Sequence, residues 1–486
     1  MTGRRFLRDS LGVALTQYVT RAVMLARGLV TAAALGPVGF GAWNALNLIL
    51  DYGAYASLGA FYGLDRRLPP AVARGEHEAG GEAMRGAWGL ALVGLVGFTL
   101  IVLVYLAVGS WLAVTGWDWS APLLMLAAAA LQVAIHYHTT VLRARGDFGV
   151  VSAAITLQAV IGGGLGLATV WRAGVWGLLW SWLLGGALAM VVLRRSLKRP
   201  PLTPGRPRDG VPLARAGFAL FAFFLLSLII RSVDRIALVR FGGNDALGHY
   251  SIGLIAAGLV LYPPEAVASV LFPRIAAAAG GARDSEQTRV EVTRVQRALT
   301  AVLPLPVGLA ALWVGPIVGQ VLPAFTPGVP ALRVLAVGAM LLAAATLPGY
   351  YLLGLGRGRQ ALGAAAAAGF VAAMLIFGVA SGAPRVGAVA IAAAVGQGLW
   401  AAVVMWLGTG LMVEGAAARR ALCLSGFIPA LWSGAWLLGL TAVGPESGAA
   451  AAWRSLAFLA AYAPALVVFT RGTGLRALLA PPRPAS

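Results

Sequence analysis

An all-α fold of about fourteen membrane-spanning helices is what this sequence predicts, and three observations carry it. The first is composition. Of 486 residues, 59% are hydrophobic and 11% charged, with mean hydropathy +0.83; a soluble domain carries about 25% charged residues. The second is length: apolar runs recur at the roughly 20 residues needed to cross about 30 Å of hydrocarbon. They fall at 11–35, 38–64, 84–108, 120–142, 147–171, 174–193, 217–240, 246–272, 297–322, 329–354, 360–381, 386–411, 419–442 and 448–470. The third is where the arginines sit. Alternate connections hold Arg4/Arg5/Arg8, Arg66/Arg67/Arg74/Arg85, Arg143/Arg145, Arg194 to Arg215, Arg274 to Arg297, Arg357/Arg359, Arg419/Arg420 and Arg471/Arg476/Arg483. The intervening connections offer only Arg172, Arg240 and Arg385, with Arg454 just inside the last run. Such a bias puts both termini in the cytoplasm and requires an even number of spans.

Charge therefore reads as topology. The 37 basic against 17 acidic residues, a net +20, would suggest nucleic acid in a soluble chain, but most of these arginines lie between apolar runs. A single Cys423 excludes a disulfide framework within the chain or a cysteine zinc site. No cleavable leader is expected, because the first apolar run lacks a small-residue cleavage site and carries Arg21 and Arg27.

The runs divide into a lobe at 1–198, a Pro/Arg-rich cytoplasmic linker at 199–216, a second lobe at 217–412, and two further helices with a tail at 413–486. A weak repeat supports two pseudo-symmetric lobes of six helices each. Arg27 precedes L-G-P-V-G-F-G-A-W, with Gly41 fourteen residues on; Arg235 precedes F-G-G-N-D-A-L-G-H-Y, with Gly248 thirteen on. Arg27 to Arg145 spans 118 residues and Arg235 to Arg357 spans 122. Repeated bundles with a site between them are a common transporter plan.

Charges inside the spans point to that site. In S-L-I-I-R-S-V-D-R-I-A-L-V-R-F, at 227–241, Arg231, Asp234 and Arg235 stand at i, i+3, i+4 on one helical face. A mid-span arginine costs roughly 2.5–3.5 kcal/mol on insertion scales, so its face looks into protein or a wet cavity. The first helix carries Gln17, Arg21 and Arg27, and the second a stripe of Asn44, Asn47 and Asp51. The fourth carries Gln132, His136, Thr139/Thr140 and Arg143; the eighth holds Pro263-Pro264-Glu265, which should kink it and expose carbonyls. Arg21, Arg27, Arg231 and Arg235 begin the two lobes and are expected to converge on one chamber. A planar guanidinium suits bidentate phosphate binding, so these four form the candidate anion site. Asn44, Asn47, Gln132 and His136 line it, and Asp51, Asp234 and Glu265 are candidates to carry a coupling proton or cation. The plainer alternatives are structural: Asp234 pairing with Arg231 or Arg235, Asp51 neutralising Arg21 or Arg27, His136 and the glutamines as packing groups, and Arg333 snorkelling outward.

At these residues the sequence resembles a known family. A-L-G-P-V-G-F-G-A-W at 34–43, S-V-D-R-I-A-L-V-R-F-G-G at 232–243, L-G-H-Y at 247–250 and L-G-L-G-R at 353–357 are similar to the polysaccharide-biosynthesis transport family. Those are lipid-linked oligosaccharide flippases (Wzx-like), of one superfamily with lipid II flippases and multidrug extruders. The resemblance implies two six-helix lobes around a cavity that alternates its opening, in a bacterial inner membrane. It implies an isoprenoid-pyrophosphate-linked glycan as substrate, such as an O-antigen, exopolysaccharide or capsule unit, and a polysaccharide polymerase or export complex as partner. Lipid II flippases carry a six-residue-spaced arginine pair in the first helix, which Arg21 and Arg27 match.

Two further readings stand beside it. A cation-coupled drug or metabolite extruder would want an acidic, aromatic cavity and usually twelve helices. A membrane glycosyltransferase, polymerase or ligase needs catalytic carboxylates or a sizeable outer loop, and the first outer connection, 35–38, has no acid. No nucleotide loop, metal cluster or Ser/His/Asp arrangement is present in the sequence, so neither cofactor nor catalysis is expected.

Overall fold

The structure, a computed structural model, describes residues 3–108, 119–197, 203–278, 285–442 and 444–470, with side chains in the first helix from Ala22 onward. The described residues are mostly helical, without strands. Sixteen α-helices run in order: α1 Gly3–Gly53, α2 Ala60–Ala73, α3 His77–Ala107, α4 Ser120–Ala144, α5 Phe148–Gln158, α6 Gly164–Ser196, α7 Pro207–Ile230 and α8 Val233–Phe241. Then come α9 Gly243–Ala278, α10 Ser285–Val302, α11 Pro304–Val321, α12 Val329–Gly354, α13 Gly358–Gly382, α14 Val386–Met412, α15 Ala416–Thr441 and α16 Gly448–Thr470.

Twelve stretches among the described residues are long and apolar enough to cross a membrane. Two of them cross twice. Gly36 breaks α1 with φ 63, a value open to glycine, and Pro37 behind it restarts the helix without needing an N–H partner. Arg27 and Trp43 would stand about 24 Å apart along an unbroken helix, yet the guanidinium carbon lies 5.1 Å from the indole centroid. The chain must therefore turn back at Gly36. Gly174, φ 55, does the same in α6: a Cβ on Gly166 would lie 3.2 Å from the Ser181 hydroxyl, fifteen residues on. With both reversals the twelve stretches become the fourteen helices expected.

Other single spans are interrupted without reversing. Residues 54–59 unwind between α1 and α2, and Arg231-Ser232 form a turn between α7 and α8. A π-helical turn, Ala159–Gly163, joins α5 to α6.

By contact the chain divides into two units inside the run 217–240. One comprises 1–228 with 243–248, the other 229–242 with 249–486. In the first unit, Phe61, Leu64, Trp88, Tyr137, Leu142 and Leu193 centre a core shared by α2, α3, α4 and α6. Residues from 205 on lie tightly against this unit: Gly205 N–H donates to Arg85 O at 2.9 Å, and a Cβ on Gly63 would fall 2.0 Å from Leu213 O. Gly41 and Gly248, the matching glycines of the repeat, lie against each other. A Cβ on Gly41 would stand 1.8 Å from Asn244 O and 2.8 Å from Gly248 N, and one on Gly248 would stand 1.9 Å from Pro37 O.

In the second unit, α15 and α16 are fastened to α11 and α12. Phe458 fills the space left by Gly308, and the Tyr462 hydroxyl donates to Ala301 O at 2.9 Å. Arg333 does not snorkel. Its side chain is 4% exposed and donates to both Glu446 carboxylate oxygens at 2.7 and 2.8 Å, and to Ala311 O at 3.2 Å. Arg454, also buried, approaches the same carboxylate at 3.9 Å. The hydrogen-bonded Arg333 guanidinium holds the Glu446 carboxyl below its ordinary value near 4.5, outweighing the upward effect of burial. The stabilisation is thus complete above pH 4.5 and is lost as pH falls through the lowered value. Glu446→Ala, which strands a buried arginine, is expected to cost roughly 3 kcal/mol, the low end for a broken buried pair because Glu446 is partly exposed. Thermal unfolding in detergent at pH 7 and pH 3.5 checks both: the variant unfolds earlier at pH 7, and the difference shrinks at pH 3.5.

Candidate functional site

The first unit places Arg27 between two indoles. Its guanidinium carbon lies 5.1 Å from the Trp43 ring and 4.9 Å from the Trp182 ring. The reversal at Gly36 brings Trp43 back beside Arg27, and the absence of a side chain at Gly166 leaves room at Nε, 3.5 Å from where a Cβ would be. Nε and Nη2 are buried and meet no hydrogen-bond acceptor among the described residues. Cation–π contact compensates part of the burial, but indole faces accept no directed N–H bond of ordinary strength. Buried polar groups are ordinarily hydrogen-bonded, so these two nitrogens, without an acceptor among the described residues, are an exception that calls for a reason.

The other residues singled out in this unit divide by how fully they are used. Asn44 and Asn47 donate back to their own helix, at Phe40 O (2.8 Å) and Trp43 O (2.9 Å). Gln132 accepts from the Gln158 amide at 3.0 Å. His136 is half-buried and meets the Phe61 and Tyr62 rings edge-on, at 5.3 and 6.3 Å. Asp51 is half-buried, close to the unwound segment 54–59. Arg21 and Gln17 lie outside the described side chains.

In the second unit the face 231–235 is not one helical stripe. The helix breaks at Arg231-Ser232, where Ser232 takes φ −138 and ψ −11. Arg231 stands at the break and donates to Glu265 Oε1 at 2.9 Å. Glu265 follows the Pro263-Pro264 pair of α9, which removes two helix donors. Asp234, in the first turn of α8, is completely buried; it accepts a short hydrogen bond from the Tyr250 hydroxyl and one from the Arg235 N–H at 2.7 Å. Arg235 is half-buried beside it. Arg231 pairs with the acid on α9 rather than with Asp234.

Several partners were not foreseen. Trp43 and Trp182 flank Arg27, Tyr250 holds Asp234, and Glu446 holds Arg333. Trp43 lies inside the quoted G-F-G-A-W motif and Tyr250 inside L-G-H-Y, so the motifs themselves were the signal. Glu446, 113 residues from Arg333, left no local pattern.

Residues 88–322 match the family described as polysaccharide biosynthesis protein. By sequence the chain resembles that family. No curated protein matches it significantly. Among solved structures, the lipid II flippase MurJ in an inward closed conformation superposes with TM-score 0.65 at 10% identity, covering 96% of this chain and 99% of that one. An inward-facing multidrug resistance MATE family transporter of the MOP superfamily gives TM-score 0.59 at 17% identity, over 82% of this chain and 96% of that one. The MATE transporter ClbM in complex with Rb+ gives 0.55 at 15%, over 85% and 96%. The polysaccharide-biosynthesis resemblance thus comes with the fold of the MATE and lipid II transporters, in a multi-pass membrane protein.

Proposed function

We propose that this chain is a flippase that moves an isoprenoid-pyrophosphate-linked oligosaccharide across a bacterial plasma membrane by alternating access, both termini facing the cytoplasm. The observation that supports the reading is Arg27: a guanidinium held between Trp43 and Trp182, whose buried Nε and Nη2 meet no acceptor among the described residues. A diphosphate brings several acceptor oxygens and a charge matching the fork. Arg21, Arg231 and Arg235 are proposed as further phosphate-binding candidates. Asn44, Asn47, Gln132 and His136 are proposed to meet sugar hydroxyls. The polysaccharide-biosynthesis match supports the substrate class, and the MATE and flippase likeness supports a moving carrier.

The extruder reading shares the fold, but fold alone does not choose a substrate. Among the described residues no carboxylate meets the buried Nε and Nη2 of Arg27, which disfavours a cationic drug there.

The experiment is headgroup translocation in vesicles holding the purified chain and a fluorescent isoprenoid-diphosphate sugar. Expected is protection of the label from an external membrane-impermeant quencher, at a rate dependent on protein. Equal rates in empty vesicles contradict the proposal; transport of an organic cation instead favours the extruder.

A further inference from the structure

At the arginine-rich end of the first unit, a cavity of about 470 Å³ opens where the end of α2, the α2–α3 turn and the end of α4 come together. Its floor is apolar, made by Leu68, Val72 and Met84, and its rim carries Glu76, His77 and Arg145. Val72 and the three rim residues are exposed, while Leu68 and Met84 belong to the buried core of the unit. The space is of the size that small-molecule sites have, about 300–1,000 Å³.

The charges at its mouth are unequally matched. Arg74 donates to both Glu76 carboxylate oxygens, at 2.5 and 3.1 Å, so that carboxylate is already neutralised. Arg143 takes Asp65, at 3.4 Å. Arg145 has no such partner: among the described residues no carboxylate forms an ion pair with it. The rim therefore presents one uncovered cation above an apolar floor. Its complement is a ligand with a hydrocarbon body and one negative group.

Depth says where such a ligand comes from. Residues 86–108 carry no charge; as helix they extend about 34 Å, enough to cross the roughly 30 Å of hydrocarbon. Arg85 marks the edge of that run, and Met84 and His77 lie beyond it, in the headgroup layer. We propose that the cavity binds an anionic phospholipid of the adjoining leaflet, its phosphate on Arg145 and its glycerol and first methylenes on Leu68, Val72 and Met84. The guanidinium fork suits a phosphate diester. A zwitterionic headgroup would bring a second cation beside Arg145 and Arg74, where like charge repels it. The proposal does not depend on Arg27 or on what the chain carries.

The test uses purified full-length protein in an uncharged detergent at one fixed salt concentration. It is titrated with dioctanoyl phosphatidylglycerol, dioctanoyl phosphatidylcholine or glycerol phosphate, and bound ligand is counted by native mass spectrometry. Wild type is expected to bind phosphatidylglycerol at least about fivefold tighter than phosphatidylcholine, the difference expected of one arginine at a headgroup. Arg145→Gln is expected to abolish that preference, and Val72→Asp, which sets a carboxylate beside the floor, to weaken binding of the anionic lipid. Both positions are exposed, so folding does not depend on them. Arg195→Gln, at an exposed arginine of α6 outside the cavity, is expected to bind as wild type does. An equal loss in Arg195→Gln would mean a diffuse basic surface and overturn the site. Wild-type preference retained in both Arg145→Gln and Val72→Asp overturns it as well, as does a wild type that binds the two lipids alike. Glycerol phosphate bound as tightly as the lipid overturns the lipid assignment in favour of a soluble ligand.

Discussion

Arg27→Met is expected to leave the protein in the membrane at wild-type abundance while surface glycan that depends on it disappears. Methionine has nearly the reach of arginine and can lie between the Trp43 and Trp182 rings as a soft apolar filler. Removing a charge from inside a span relieves an insertion cost of roughly 2.5–3.5 kcal/mol, so folding should not suffer. What is lost is the set of N–H donors awaiting an acceptor. Hydrogen bonds to charged groups contribute about 1.5–3 kcal/mol each, so losing even one weakens ligand binding roughly tenfold to a hundredfold. Arg27→Lys keeps the charge but not the planar fork that lies between two rings, and an intermediate loss is expected. Immunoblotting of membranes alongside surface-glycan staining checks the pair. A normal glycan level in Arg27→Met would remove Arg27 from the binding machinery.

Gly248→Val and Gly41→Val are expected to abolish recovery of folded protein. Their Cβ atoms would fall 1.9 Å from Pro37 O and 1.8 Å from Asn244 O. Both obstacles are backbone, which no rotamer change can move. Overpacking a well-filled interior costs about 1–3 kcal/mol when side chains can give way, and more when they cannot. Gly97 is the contrast, since a Cβ there meets nothing within 4 Å. Gly97→Ala, in the middle of α3, is expected to be neutral or to stabilise by about 0.5–1 kcal/mol. Size-exclusion chromatography in detergent separates the outcomes: aggregate or absence for the valine variants, a monodisperse peak for Gly97→Ala.

The helix count was legible because bilayer thickness sets run length and arginine position sets orientation. The reversals at Gly36 and Gly174 lie between runs already separated on those grounds. Interruptions inside a span were harder to read. Residues 227–241 are apolar enough to read as one helix, and nothing in hydropathy marks the turn at Arg231-Ser232. That turn is what separates Arg231 from Asp234 and gives Arg231 to Glu265. Pairing at long range was likewise hidden: Arg333 at a span's end looks like an anchor until Glu446, far along the chain, is seen against it. In the sequence the glycine motifs are family marks; their physical reason, the backbone contact of Gly41 with Asn244 and Gly248, lies in the fold. Asn44 and Asn47 formed a visible stripe, yet each donates to its own helix.

The proposed function depends on the Arg27 guanidinium receiving an anion. Equilibrium binding of a radiolabelled short-chain isoprenyl diphosphoryl-sugar to the purified wild type and to Arg27→Met tests that most directly, with the uncharged isoprenyl alcohol as control. Expected are saturable binding of the diphosphate by wild type, at least tenfold weaker binding by the variant, and no discrimination between the two proteins for the alcohol. Equal affinity of both proteins for the diphosphate would contradict it.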